Sequence, residues 1–91
     1  MRKHFSTIDS KTGYPLVYSE CSYNMACMQL EHEMDKKGIL IVSAKPEGNM
    51  MRLEFSNESV FLYDEERGYL LLKDDHARDL VNKNLYDEVN I

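Results

Sequence analysis

Three histidines, two cysteines and sixteen Asp and Glu residues are the material from which a metal or catalytic site in this 91-residue chain would be built. The run Glu31-His32-Glu33-Met34-Asp35 sets a histidine among carboxylates, as a zinc helix does. However, the second histidine four residues on is missing. His4 and His76 are distant in sequence, and His32 is at least five residues from Cys21 or Cys27. No metal is therefore expected. The cysteines are six apart, about 240° around a helix, and two are too few for a disulfide framework. Free thiols fit a reducing compartment, so a cytoplasmic protein is expected.

Nucleophilic catalysis needs a Ser, Thr or Cys beside a base that a third group orients. The chain has no Gly-x-Ser-x-Gly elbow, and Cys27 falls on a helical face whose pattern calls for burial. Glu31 and Asp35 share a helical face at i and i+4 and read as a solvated pair rather than a glycosidase couple. The four glycines, at positions 13, 38, 48 and 68, stand singly at turns or helix ends, so no phosphate loop or dinucleotide fingerprint is present. No catalytic residue and no cofactor is expected, and the chain reads as a non-enzyme.

Phe55, Phe61, Tyr63 and Tyr69 fall on neighbouring strands, the arrangement on which some domains stack single-stranded bases. Asp64, Glu65, Glu66, Asp74 and Asp75 crowd the same strand ends and would repel phosphate, so core packing is the better reading. The net charge of −5 divides unevenly: residues 1–45 carry +1 and residues 46–91 carry −6. A nucleic-acid partner would have to use Arg2, Lys3, Lys11, Lys36, Lys37 and Lys45 of the more basic half.

The elements that position these residues follow from periodicity. Tyr23, Cys27, Leu30 and Met34, with Ala26, recur at helical spacing. Ser22 is the N-cap, Lys36 and Lys37 suit the C-terminal dipole, and Gly38 ends the helix. Four strand-length segments follow: Ile39 to Ala44, Met50 to Ser56, Ser59 to Asp64, and Tyr69 to Lys73. Their connections, Pro46-Glu47-Gly48-Asn49, Asn57-Glu58 and Glu65-Glu66-Arg67-Gly68, are too short for parallel crossovers. Asp74 or Asp75 caps a second helix running to about Glu88, with Ala77, Leu80, Val81 and Leu85 on one face. Ahead of the first helix, turn residues 9–13 separate Phe5–Ile8 from Tyr14–Tyr18 as a hairpin would, with Pro15 confining the second arm to an edge or a strand start.

The expected fold class is α+β in one domain over residues 1–91. It is an antiparallel four-stranded meander flanked by two helices, in the order (β-hairpin)-α-β-β-β-β-α. No apolar run exceeds the four residues Ile39–Val42, against the twenty or so a membrane span needs, and Phe5–Ser10 is too polar for a signal sequence. Three segments, Ile39–Val42, Val60–Tyr63 and Tyr69–Leu72, are apolar at consecutive positions and would bury both faces. The C-terminal helix, the N-terminal segment or a second copy must cover the second face, and a homodimer is expected.

These exclusions leave a non-enzymatic protein-binding module, an inhibitor or regulator of the kind found among phage and mobile-element accessory proteins. Its acidic surface, Asp64, Glu65, Glu66, Asp74 and Asp75, would meet a basic partner. Met25, Met28, Met34, Met50 and Met51 lean the same way, because methionine makes adaptable binding surfaces. The alternatives are a nucleic-acid-binding regulator and a small enzyme whose site is assembled only in the fold or across a dimer.

Overall fold

A computed structural model describes residues 2, 3 and 7–73. The expected C-terminal helix, with Asp74 and Asp75, lies outside the described residues, as do His4 and His76. The described helix, α1, spans Tyr23–Asp35. Its N-cap is Ser22, in an extended conformation, whose Oγ accepts a hydrogen bond from Met25 N at 3.2 Å. At the other end Gly38 takes φ +72°, and Gly38 N and Ile39 N donate back to Asp35 O and Met34 O.

Among the described residues six strands form one antiparallel sheet: β1 (Arg2–Lys3), β2 (Leu16–Ser19), β3 (Ile41–Glu47), β4 (Met50–Phe55), β5 (Val60–Asp64) and β6 (Tyr69–Leu72). Their spatial order is β1-β2-β6-β5-β4-β3. The α+β class and the antiparallel meander of the last four strands stand as the sequence implies. The sheet is larger than the meander because β2 joins β6, pairing Leu16 with Leu71 and Tyr18 with Leu70. The N-terminal hairpin reading is met in part. Ile8 bridges Pro15 around the turn, β1 pairs with β2 further out, and Pro15 falls immediately before its strand.

One connection is shorter than its composition implies. Pro46 and Glu47 belong to β3, and Glu47 pairs with Met50, which leaves Gly48-Asn49 as a two-residue hairpin loop. Gly48 has φ +60°, and such tight loops need a positive φ to follow the twist of the flanking strands. A proline is tolerated in β3 because β3 lies at the sheet edge.

The core lies between α1 and one face of the sheet. Ala26, Leu30 and Met34 pack with Val17, Tyr18, Leu53, Phe55, Phe61, Tyr63, Leu70 and Leu72. Tyr23 and Cys27, also expected on this face, are half-buried against it. Two edge-to-face ring pairs, Phe55 with Phe61 and Tyr23 with Tyr63, have centroids 5.6 and 5.5 Å apart. Three of the four strand aromatics therefore belong to the core, and no stacking platform forms there.

On the opposite face the register aligns Leu16, Leu71 and Leu62 across β2, β6 and β5, and all three are buried within a single chain. The consecutive apolar runs of β5 and β6 thus bury both faces without a second copy. The pattern of Ile39–Val42 turns out differently. Val42 is 65% exposed and Leu40 60%, because this run leads into an edge strand at the rim of the sheet. Where β3 and β4 face away from α1 the surface is polar, with Lys45–Glu54 at 3.2 Å and Arg52–Glu47 at 2.9 Å. Exposed pairs of this kind add little stability.

Leu30 has no exposed surface and sits at the centre of the helix–sheet contact. Leu30→Ala is expected to lower stability by about 2–4 kcal/mol through cavity formation, measured by denaturant unfolding. A loss under about 0.5 kcal/mol would be that of an exposed position and would remove α1 from the core.

Candidate functional site

The acidic residues that the sequence groups together are separated by the fold. Asp64 ends β5 and is buried, with both carboxylate oxygens engaged. Its Oδ1 accepts from Glu66 N and Arg67 N at 3.1 and 3.3 Å, and its Oδ2 from Arg67 Nε at 2.7 Å. It caps the turn and offers no surface to a partner, which corrects its assignment as a contact. Glu65 and Glu66 are exposed in that turn, while Asp74 and Asp75 lie outside the described residues.

Arg67 reaches from this turn to the earlier one. Its Nη1 and Nη2 donate to Asp9 Oδ1 and Oδ2 at 2.7 and 3.0 Å, and its guanidinium lies 4.8 Å from the Tyr69 ring centroid. Asp9 also accepts from Thr12 N and Thr12 Oγ1. The Arg67 guanidinium holds the Asp9 carboxyl down at about 2, against the opposing effect of burial. Burial pushes Asp64 up, but the Arg67 side-chain and backbone hydrogen bonds outweigh it, and the net displacement is downward. Both acids are ionised and bonded, which makes the trio a clamp between two turns rather than an acid–base pair.

Other groups that could carry chemistry are also engaged. Burial pushes the thiols of Cys21 and Cys27 up, away from the thiolate that a nucleophile requires. Tyr18 Oη donates to Glu33 Oε2 at 2.7 Å, and burial, then that carboxylate, raises the phenol. Tyr63 Oη donates to Cys21 O at 2.6 Å. Among the described residues no cluster of three His, Cys, Asp or Glu side chains could hold a metal ion. None of their helices is long and apolar enough to cross a membrane.

What the fold does assemble is a groove. The 3.6-residue period that turns Ala26, Leu30 and Met34 onto the sheet leaves Met25, Met28, Gln29, His32 and Asp35 along the next stripe of α1. The left-handed turn at Gly38 sends the chain back beside that stripe through Ile39, Leu40 and Ile41. Between the two lies an open cavity of about 790 Å³, with Glu31 also on its wall. Its lining holds two carboxylates and no Lys or Arg. Met25 is 52% exposed and Met28 70%.

Leu40 is presented rather than loose. Its N–H donates to Ser56 Oγ at 3.0 Å, and its carbonyl accepts from Ser56 N at 2.7 Å, which fixes the backbone while the side chain faces solvent. Val42, in β3, is exposed as well, though it does not line the groove. Of the five methionines grouped in the sequence, only Met25 and Met28 belong here. Met34 is core, and Met50 and Met51 are half-buried in β4. The sequence signal for the groove is the pair Met25 and Met28 beside the core stripe of α1, together with an apolar segment after Gly38.

The chain matches no protein-family model, no curated protein and no solved structure.

The clamp gives the acid dependence of stability a definite form. Because the folded pKa of Asp9 is depressed, its stabilisation, about 2 kcal/mol, is present in full above roughly pH 4 and is lost as pH falls towards 2. Urea unfolding of Asp9→Asn between pH 5 and 2 should show a shallower fall in stability than the original chain. Identical acid profiles would mean that Asp9 has no special bond to Arg67 in solution.

Proposed function

We propose that the protein is a non-enzymatic protein-binding module, an inhibitor or regulator. Its docking surface is the groove between α1 and the start of β3, and its partner carries a basic surface. One observation carries this reading: Met25, Met28 and Leu40 all line the groove and stand at least half exposed, whereas most other large apolar side chains of the described sheet and helix are buried or half-buried. Contiguous apolar surface on a small domain marks an interaction site, and methionine adapts its shape to what it meets. Glu31 and Asp35 at the groove, with Glu65 and Glu66 in a chain of net charge −5, favour a basic partner and would speed its approach.

The nucleic-acid alternative has less to draw on. Of the residues it would use, Lys45 lies 3.2 Å from Glu54 and Arg2 3.5 Å from Glu20. No groove-lining residue bears a fixed positive charge.

The test compares three baits in one host extract: the original chain, Met28→Lys/Leu40→Lys, and Glu65→Lys/Glu66→Lys. The expected result is a protein retained by the first and third baits and lost by the second, with the stability of all three within about 0.5 kcal/mol. Equal retention by the groove variant would move the interface elsewhere. Tight binding of the original chain to random duplex DNA, falling steeply with salt, would favour the nucleic-acid alternative.

A further inference from the structure

We infer that Met25 and Met28 form a reversible oxidation site that switches the docking groove: peroxide converts the two thioethers to sulfoxides and releases the partner, and methionine sulfoxide reductases restore binding. The inference rests on the groove being the docking surface, and it names how that surface is regulated. The methionines of the described residues differ sharply in their access to solvent. Met28 is 70% exposed and Met25 52%, and both line the groove. Met34, on the same helix, is 2% exposed, and Met50 and Met51 are half-buried in β4. A dissolved oxidant therefore reaches the docking face first and the core last. Oxidation alters what the groove presents while α1 stays packed on the sheet.

The chemistry is a two-electron oxygen transfer. A lone pair of the thioether sulfur attacks one oxygen of hydrogen peroxide, the O–O bond breaks, the S–O bond forms and water leaves. In the return step a pair of thiols on the reductase supplies the electrons, becomes a disulfide and releases the oxygen as water. Each cycle exchanges a flexible apolar side chain for a polar one and back. Met25 and Met28 are three residues apart on α1 and so adjacent on its surface, with Ile39, Leu40 and Ile41 also lining the groove. Under a partner that covers this apolar wall, a sulfoxide oxygen gives up water and gains no donor from those three side chains, which weakens docking. The cysteines are poor competitors for the oxidant. Cys21 is buried and Cys27 half-buried, and burial holds both as the less reactive thiol.

The test treats the purified chain with hydrogen peroxide, removes the oxidant with catalase and reads each methionine by peptide mass spectrometry. Met25 and Met28 should become sulfoxides about tenfold faster than Met34 or more, and the urea midpoint of the product should match that of the untreated chain. Binding is then measured to the protein that the original bait retains and Met28→Lys/Leu40→Lys loses. Oxidation should weaken it about tenfold or more, and reductases for both sulfoxide epimers with dithiothreitol should restore it. Met25→Leu/Met28→Leu keeps the apolar volume without the sulfur, so its binding after peroxide should stay within about twofold of its own untreated form. Oxidation of Met34 as fast as Met28 would overturn the inference, and so would unchanged binding with both sulfoxides in place. An equal loss in the double-leucine variant would put the sensitive residue elsewhere, and a lowered urea midpoint would make the loss one of folding; either result overturns it too. The docking reading fails separately, by equal retention on the untreated original and groove-variant baits, and the switch then falls with it.

Discussion

Pairing of β2 with β6, closed by the Leu72 N–H to the Pro15 carbonyl and by the two guanidinium bonds from Arg67 to Asp9, extends the meander on one side only and leaves β3 as the opposite edge. The position of the groove follows from that asymmetry. With β2 in place, the strands near the middle of the sheet take the apolar load on both faces, and Leu62, Leu70, Leu71 and Leu72 are all buried. At the other end, β3 has a neighbouring strand on one side only among the described residues, and Val42 near its start keeps much of its apolar surface in contact with water.

The clamp that holds this arrangement is polar, and its value depends on completeness. Taking an arginine and two aspartates out of water is costly, and the cost is offset only where geometry and hydrogen bonds are good. Here Arg67 contacts Asp9 through two nitrogens and Asp64 through a third, while the remaining carboxylate contacts go to turn amides and to Thr12. Gly68 completes the turn at φ +69°, and a Cβ there would lie 3.0 Å from Cys21 O. The same glycine carbonyl accepts from Cys21 N and Cys21 Sγ, so the β5–β6 turn is tied to the segment that leads into α1. Turn, clamp and helix entry therefore form one connected unit on the side of the sheet away from β3.

The legible parts of the fold were those in which one local signal dominated. Ser22, the apolar spacing through Met34 and Gly38 specify α1 to within a residue or two. The short loops that contain Gly48 and Gly68 allow only antiparallel neighbours. Sheet order was not legible, because nothing local in Leu16–Ser19 says that these residues pair with a strand more than fifty positions later. Edge status depends on sheet order, so the exposure of Leu40 and Val42 was hidden as well, and their apolar run looked like those of the buried strands. Asp64 misled for a related reason. Its place in an acidic run suggests surface, and only the partner contributed by Arg67, with Asp9 brought in from the N-terminal turn, explains why a carboxylate is buried there.

The account turns on Met25 and Met28 lining an open groove while Met34, on the same helix, is sealed in the core. Methyl NMR with a soluble paramagnetic agent reads this directly. The predicted result is strong broadening of the Met25 and Met28 methyls, with the Met34 methyl spared. Protection of all three to the same degree would show that the groove is closed in solution and would contradict the account.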